Sequence, residues 1–212
     1  ALKMAVYTMN TSKKYKKPSN WLHRGSVICT GGAAGAFSIA FLAIELPVST
    51  CIMLRSIADQ ARSQGHNLQD IATRLECLTV FALGGNSKSD DMTQTSYYAV
   101  RTILGKITAK IAEYLAERAV TETATNSIEK LVAPLLAKLI AAIAAKYGQA
   151  VAEKAAAMIA PGIGALGGAA INIMFINHFQ RMAKSHFIIK RLEAQYGEAA
   201  VRGVYNFLEL GV

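Results

Sequence analysis

Apolar residues recur at intervals of three and four along most of the chain, the spacing that places them on one face of an α-helix. Three stripes of this kind run through residues 68–82, 100–115 and 128–143. No stretch shows the alternation of apolar and polar residues, bounded by turn residues, that predicts paired strands. The pattern therefore predicts an all-α fold, a multi-helix domain of about seven to nine helices.

One helix can be predicted together with its ends. Pro47 suits the first turn of a helix, where its missing N–H costs no hydrogen bond, and Gly65 suits the end of one. These residues predict a helix that begins at Pro47 and ends near Gly65. Within it, Arg55, Asp59 and Arg62 lie three and four residues apart, which is typical of a salt-bridge row on a helix surface.

Two long segments carry no charge, at residues 25–44 and, with His178 neutral, at residues 155–180. Each has glycines four positions apart, Gly31 with Gly35 and Gly164 with Gly168, and that spacing lets another helix approach closely. We predict that these two glycine-rich apolar helices pack together. Both are also long enough to cross a bilayer core of about 30 Å. A tight crossing inside a soluble core and insertion into a membrane are therefore both open interpretations.

The composition and the charge distribution narrow the class of protein. A hydrophobic fraction of 52% with only 17% charged residues excludes an intrinsically disordered chain. The net charge of +9 is uneven, because residues 1–44 contain six basic residues and no acidic one. Such a segment attracts phosphate groups, although a solvated tail is the plainer interpretation. We expect a basic N-terminal segment over residues 1–19 and a single helical domain over residues 20–212.

The flanks of the first apolar segment favour contact with a membrane. An indole ring prefers the border of such a segment, and the chain places its tryptophan there. The residues predicted to contact lipid or the membrane are Lys13, Lys14, Lys16, Lys17, Trp21 and Arg24. An anionic membrane surface is the expected partner. Nucleic acid is not expected, because the positive charge comes without a recognisable reading module.

Metal and cofactor chemistry have little support. The three cysteines form no CxxC pair, which argues against a zinc site and against a disulfide framework. His178 and His186 are eight residues apart with no carboxylate between them. The GxGxxG match at residues 162–167 follows an alanine-rich helical run instead of the strand that dinucleotide binding requires. We expect no metal and no cofactor.

The candidate catalytic residues are polar groups embedded in apolar sequence. Glu45 is the only charge in residues 25–54, so we expect it to be buried beside a cationic partner such as Arg55 or Arg101. The candidates are Glu45, Arg101, Asn172 and His186. Their spacing matches no known catalytic motif, so the sequence assigns no reaction to them.

Several runs of residues resemble one bacterial family. They are ELPVST at 45–50, MLRSIAD at 53–59, CLTVFALGG at 77–85, YYAVR at 97–101, PGIGALGGAAIN at 161–172 and FQRMA at 179–183. Over roughly residues 20–205 the chain resembles the EcsC family. The resemblance implies a bacterial protein that is cytoplasmic or membrane-associated, and it transfers no catalytic residue. The family is named for a protein encoded beside an ABC transporter, so a membrane-protein partner of that kind is implied.

Two functions from different classes remain open. The first is a non-enzymatic, membrane-associated or lipid-binding helical protein of the bacterial cytoplasm, peripheral or shallowly embedded at the inner membrane. It depends on the basic N-terminal segment and the two apolar segments. The alternative is a membrane-proximal hydrolase acting on a lipid or a peptide. It depends only on polar residues embedded in apolar runs, which are Glu45, Arg55, Arg101, Asn172 and His186.

Overall fold

A computed structural model describes residues 6–7, 9, 16–27, 39–83, 95–120, 132–145, 148 and 165–209. Within these ranges it leaves out the side-chain surroundings of residues 39–46, 95–96, 99, 116–120, 165–168, 171 and 209. For Glu45 and Gly168 only the helical backbone is therefore described. The start of the second apolar segment, residues 155–164, lies outside the described residues. Gly31, Gly35 and Gly164 lie outside the described residues altogether.

The regular elements in the described ranges are all helices, so the predicted all-α fold is confirmed. They are α1 (20–27), α2 (Ile39–Ser63), α3 (Ile71–Thr79) with a following 3₁₀ turn (Val80–Ala82), α4 (Thr95–Val120), α5 (132–145), α6 (Ala165–Tyr196) and α7 (Glu198–Glu209). No strand occurs in the part of the chain that the structure describes.

The predicted end of α2 is confirmed and its predicted start is wrong. Gly65 adopts a positive φ of 90°. Its N–H donates to the carbonyl of Arg62, and the N–H of His66 donates to the carbonyl of Ala61, which together form a Schellman cap. The helix begins at Ile39, however, so Pro47 lies inside it. The apolar run before Pro47 continues the helix although proline removes one backbone hydrogen bond there.

The main core lies between α2 and α6, which form the most extensive helix pair. Phe179 and Phe187 of α6 are fully buried against Met53 and Ile57 of α2 and Phe81 of the 3₁₀ turn. The rings of Phe81 and Phe179 lie 4.8 Å apart in a tilted arrangement. Phe179 and Phe187 are eight residues apart, about two helical turns, so both lie on the face of α6 that packs against α2.

A second cluster of apolar side chains joins α3, α4 and α5. Its buried members are Leu75, Ala82, Leu104, Ile111, Val132 and Leu139. These residues belong to the three apolar stripes that the sequence predicts. Helix α4 packs against α3, and α7 packs back on α6.

The two apolar segments meet at one described contact. The side-chain amide of Asn172 in α6 donates to the carbonyl of Val27 in α1 at 3.0 Å, and both residues are buried. The close approach at the glycines themselves stays a prediction. Within the described ranges, no helix has both the length and the hydropathy that crossing a bilayer requires.

Candidate functional site

A partly buried polar network joins α3, α4 and α6, and we call it the Glu76 network. Its members are Glu76 of α3, Tyr97 of α4, and His186 and Lys190 of α6. His186 and Lys190 are four residues apart, so both project from the same face of α6. Packing of α3 and α4 against that face brings the other two side chains within reach.

The network is a continuous chain of hydrogen bonds. His186 Nε2 lies 2.9 Å from Glu76 Oε2, and His186 Nδ1 lies 3.0 Å from the hydroxyl of Tyr97. A carboxylate only accepts, so Nε2–H donates to Glu76, while Nδ1 accepts the Tyr97 proton when the ring is neutral and donates to the Tyr97 oxygen when the ring is charged. Lys190 Nζ donates to the other carboxylate oxygen at 3.1 Å. The His186 side chain has no exposed surface.

The charged partners of Glu76 outweigh the effect of its burial. Burial alone would raise the pKa of a carboxyl group, because it disfavours the charged form. The hydrogen bond and charge of His186, together with Lys190, lower the pKa of Glu76 to about 2. Glu76 is therefore a carboxylate at neutral pH, held by two donors on α6.

A clamp between α4 and α6 lies next to this network. Arg101 donates to Glu193 Oε1 from Nη1 at 2.7 Å and to Oε2 from Nη2. The Arg101 guanidinium also lies 5.8 Å from the ring centre of Tyr97 and 5.5 Å from that of Tyr98. Burial alone would lower the pKa of Arg101, but the Glu193 carboxylate raises it above its usual value, so the guanidinium stays charged.

A cleft of about 470 Å³ opens beside the clamp and the Glu76 network. Its charged lining residues are Glu76, Arg101, Lys106, Lys190 and Glu198. Two of its three cations already contact carboxylates, so the cleft has little surplus charge. Tyr98 also lines it, and among the described residues its buried hydroxyl has no hydrogen-bond partner.

The chemistry that the Glu76 network can perform is limited. Burial raises the pKa of Tyr97 well above its usual value, so the phenol stays protonated and is a poor nucleophile. His186 has no exposed surface from which to exchange a proton with a substrate. The described residues contain no group of histidine, cysteine, aspartate and glutamate side chains placed to hold a metal ion.

Two of the four candidate catalytic residues lie in this region. Arg101 and His186 both contact Tyr97, which lies between them. Asn172 is elsewhere, because it bonds to α1 from a position 14 residues earlier on α6 than His186. The Glu45 side chain lies outside the described residues, so its predicted burial stays a prediction. Arg101, which with Arg55 was one of the two partners expected for Glu45, contacts Glu193 in the clamp.

Sequence reasoning missed the residues that complete the region. They are Glu76, Tyr97, Lys190 and Glu193. The nearest signal for Glu76 is that it directly precedes the uncharged run at 77–87. The criterion that singled out Glu45, isolation within a long uncharged stretch, does not select Glu76, because Arg74 lies two residues before it. His186, Lys190 and Glu193 also follow one another at helical spacing on α6.

A second polar site anchors the basic N-terminal segment to α2. Asp59 accepts a hydrogen bond from the backbone N–H of Ser19 at 2.6 Å and two from Arg62, at 2.6 and 3.0 Å. His23 Nε2 lies 3.5 Å from the same carboxylate, and Arg62 also donates to the carbonyl of Lys16. Residues 16–19 are thus bound to the folded domain instead of forming the solvated tail that was the plainer expectation.

Asp59 and Arg62 do not form the predicted surface row. Each is only 5% exposed, because residues 16–27 cover this face of α2. Burial alone would raise the pKa of Asp59, but hydrogen bonds from His23, Arg62 and Ser19 lower it below its usual value. The spacing of three and four residues placed the pair correctly on one face, but it gave no sign that another segment covers that face.

A groove of about 440 Å³ lies between this segment and α2, and we call it the basic groove. Its ionisable lining residues are Lys16, Lys17, His23, Arg55, Asp59 and Arg62, and Leu22 and Ile52 also line it. Next to it, Trp21 is 74% exposed and Leu22 is 49% exposed, with exposed Arg24 on the same helix. Lys13 and Lys14, which were also predicted to contact lipid, lie outside the described residues.

Comparison with protein families finds a match. Residues 2–192 match the EcsC protein family, nearly the whole length of the chain. The match agrees with the resemblance of the sequence runs and includes both the basic groove and the Glu76 network. No curated protein and no solved structure matches the chain.

Proposed function

The chain belongs to the EcsC protein family, and on that premise we propose that it binds anionic membrane surfaces peripherally through α1 and the basic residues before it. The observation that carries this proposal is the exposure of Trp21 and Leu22 on α1. Large apolar side chains are exposed there next to exposed Lys16, Lys17 and Arg24. A helix with an apolar face and basic flanks is typical of attachment to a lipid interface.

The two faces of α1 have different surroundings. His23 and Val27 are buried against the domain, whereas Trp21 and Leu22 point to solvent. Val48 of α2, one helical turn before Ile52 of the groove wall, is also 44% exposed. The apolar residues available for insertion therefore come from two helices that pack together, and insertion needs no unfolding of the domain.

The anchoring of residues 16–19 supports the proposal energetically. A flexible segment loses conformational entropy when it is ordered on a surface. Here the segment is already ordered before it meets a membrane, because Asp59 accepts a hydrogen bond from Ser19 and Arg62 donates one to the Lys16 carbonyl. Binding therefore causes little further loss of conformational entropy. Each basic residue near an anionic surface contributes about 1 kcal/mol. Lys16, Lys17 and Arg24 together supply roughly 3 kcal/mol by that rule, in addition to burial of apolar surface.

The hydrolase alternative draws on the Glu76 network and lacks an observation of its own. Tyr97 stays protonated and His186 is fully buried. The network therefore serves to connect α3, α4 and α6 by hydrogen bonds. We therefore favour the binding function. The localisation that follows is the cytoplasmic face of the bacterial inner membrane. An ABC transporter as partner stays a prediction from the family.

Co-sedimentation with vesicles tests the proposal. The intact chain should pellet with vesicles that contain phosphatidylserine and stay in solution with phosphatidylcholine vesicles. The variant Lys16→Gln/Lys17→Gln/Arg24→Gln should lose most of that binding. The matched control Lys110→Gln/Lys138→Gln/Lys184→Gln removes the same charge from exposed positions elsewhere and should bind nearly as the intact chain does. Equal losses in the two variants would reduce the effect to net charge and contradict a specific surface.

A further inference from the structure

The cleft of about 470 Å³ beside the clamp offers a ligand two charges of opposite sign. Three of the charged side chains that line it, Glu76, Arg101 and Lys190, already form ion pairs within the chain. Lys106 and Glu198 line it too, and neither forms an ion pair with a residue that the structure describes. A lone anion or a lone cation would pair with only one of them, whereas a zwitterion pairs with both.

The wall of the cleft also contains a hydroxyl group that needs a hydrogen-bond partner. Tyr98 lines the cleft and is only 5% exposed, and its hydroxyl contacts no donor or acceptor in the described ranges. Arg101 and Arg202 lie 5.5 and 5.3 Å from the centre of its ring, so the ring is held in place. A buried hydroxyl that has lost its hydrogen bonds to water destabilises the folded chain. A ligand with an acceptor oxygen in the cleft would supply the missing bond.

A glycine keeps one wall of the cleft open. Gly105 lies in the interior of α4, where glycine is less favourable than alanine. A Cβ added there would meet nothing within 4 Å, so no described neighbour requires the glycine. Gly105 lines the cleft, as do Thr102 and Ala109 about one helical turn away on either side, so α4 turns one face to the cleft. The space that a larger side chain would take at this position is the cleft itself.

We propose that this cleft binds a short zwitterionic peptide, two or three residues long with both termini free. Its ammonium group pairs with Glu198 and its carboxylate with Lys106, and an amide carbonyl between them accepts a hydrogen bond from Tyr98. Lys106 and Glu198 belong to different helices, α4 and α7, so a ligand that contacts both extends across the cleft. The volume lies within the range of about 300–1,000 Å³ that is typical of small-ligand sites, and an extended tripeptide is about 10 Å long. The proposed membrane function does not depend on this cleft.

Calorimetric titration of the intact chain with trialanine and its capped derivatives tests the two charge contacts. Trialanine is a suitable probe because the proposed contacts involve the termini and the backbone and not the side chains of the peptide. N-Acetyl-trialanine lacks the ammonium group, and trialanine amide lacks the carboxylate. Each should bind about fivefold more weakly than trialanine, the change expected for an ion pair at an exposed position. The absence of saturable trialanine binding, or equal binding of all three peptides, overturns the proposal.

Two variants assign each charge contact to its side chain. Glu198→Gln should bind trialanine and N-acetyl-trialanine equally, because the partner of the ammonium group is gone. Lys106→Gln should likewise bind trialanine and trialanine amide equally. The controls Lys110→Gln and Glu113→Gln change exposed residues of α4 that do not line the cleft, and they should distinguish all three peptides as the intact chain does. A distinction that survives in the variant designed to abolish it overturns the proposal.

Two further variants test the cleft and leave the folded domain intact. Tyr98→Phe removes a hydroxyl that lacks a partner in the free chain, so the melting temperature should not fall, whereas trialanine binding should weaken about two- to tenfold. Gly105→Leu fills the cleft and should abolish binding without lowering the melting temperature, because leucine is more favourable than glycine in a helix. Unchanged trialanine binding in either variant overturns the site. If Gly105→Leu does not fold, Tyr98→Phe alone decides.

Free alanine separates a peptide from an amino acid, which carries the same two charged groups. It has no amide carbonyl to accept the Tyr98 hydrogen bond, so it should bind the intact chain more weakly than trialanine does. Tyr98→Phe should also narrow the difference between the two ligands. If alanine binds as tightly as trialanine, the cleft recognises free amino acids, and the peptide is overturned as its ligand.

Discussion

At the scale of single residues, two largely buried carboxylates, Glu76 and Asp59, connect chain segments next to the apolar cores. Glu76 and Asp59 each have two or more donors, and both have a lowered pKa in spite of burial. Removing one member of such a pair leaves an uncompensated buried charge, which costs far more than the pair contributes. The sequence indicates such residues only when a charge stands out from apolar neighbours. That criterion selects Glu45, but it selects neither Glu76 nor the partners of Glu76, which lie about 110 residues away along the chain.

The Glu76 carboxylate should make stability depend on pH in the acid range. Its pKa is about 2 in the folded chain against a usual value of 4.5, so the folded state favours the ionised form. Its contribution is fully present above about pH 4.5 and is lost as the pH falls towards about 2, at most roughly 3 kcal/mol. The free energy of unfolding, measured by urea denaturation from pH 7 to pH 2, should fall accordingly.

Glu76→Gln isolates that contribution from those of other carboxylates. The variant should be less stable than the intact chain at pH 7, and the gap should close towards pH 2, where the intact chain has also lost the charge. Glu113→Gln, at an exposed position on α4, should follow the intact chain at every pH. A gap that stays constant over the whole range would contradict the charged pairing of Glu76.

Tyr97 tests whether the network acts as one unit. Tyr97→Phe removes the hydroxyl next to His186 Nδ1 and should lower the free energy of unfolding by about 1–3 kcal/mol, because a buried polar atom loses its partner. Tyr196→Phe, at an exposed position, should change it little. In a double-mutant cycle with His186→Phe, the two effects should be strongly non-additive. Additive effects would mean that the hydroxyl stabilises the chain by another route.

At the scale of elements, periodicity predicts the helices well and their limits less well. The stripes at residues 68–82, 100–115 and 128–143 correspond to α3 with its 3₁₀ turn, α4 and α5. The end of α2 near Gly65 follows from a backbone conformation that glycine adopts without strain. The start of α2 could not be obtained from Pro47, because a proline tolerated in a first turn is also tolerated inside a long helix that packing stabilises.

The break between α6 and α7 depends on one glycine. Gly197 has a φ of 86°, and nothing would lie within 4 Å of an added Cβ. The cost of Gly197→Ala is therefore purely conformational, about 1–2 kcal/mol. Gly203 also has open space around it, but it lies inside α7. Gly203→Ala should stabilise the chain by about 0.5–1 kcal/mol.

Thermal denaturation followed by circular dichroism compares the two alanine variants directly. The melting temperature should fall for Gly197→Ala and rise for Gly203→Ala, although the chemical change is the same. Opposite signs would establish that backbone geometry at the α6–α7 junction decides the effect. A fall of similar size in both variants would instead indicate that α7 tolerates no added methyl group.

At the scale of the whole molecule, α6 connects two regions with different roles. Its earlier half contacts α1 through Asn172 and Gln180, and its later half carries His186, Lys190 and Glu193. Gln180 and Glu193 are about 20 Å apart at the rise of an α-helix. The proposed membrane surface and the Glu76 network are therefore separate, and variants in one should leave the other intact. The uneven distribution of charge along the sequence indicated the proposed membrane surface. The Glu76 network depends on contacts between residues far apart in the chain, and the spacing of apolar residues cannot predict such contacts.

The single tryptophan of the chain makes membrane attachment visible in the intact protein. Trp21 is 74% exposed on α1, so its emission should shift to shorter wavelength and its quenching by acrylamide should decrease when phosphatidylserine vesicles are added. Phosphatidylcholine vesicles should cause neither change. Raising the salt concentration should reverse the shift in large part, because the screening length falls from about 10 Å at 0.1 M to about 3 Å at 1 M. Pelleting with vesicles without any change in emission would mean that another surface of the molecule binds. A shift that is fully retained at high salt would mean that apolar burial, and not the basic residues, supplies the attraction.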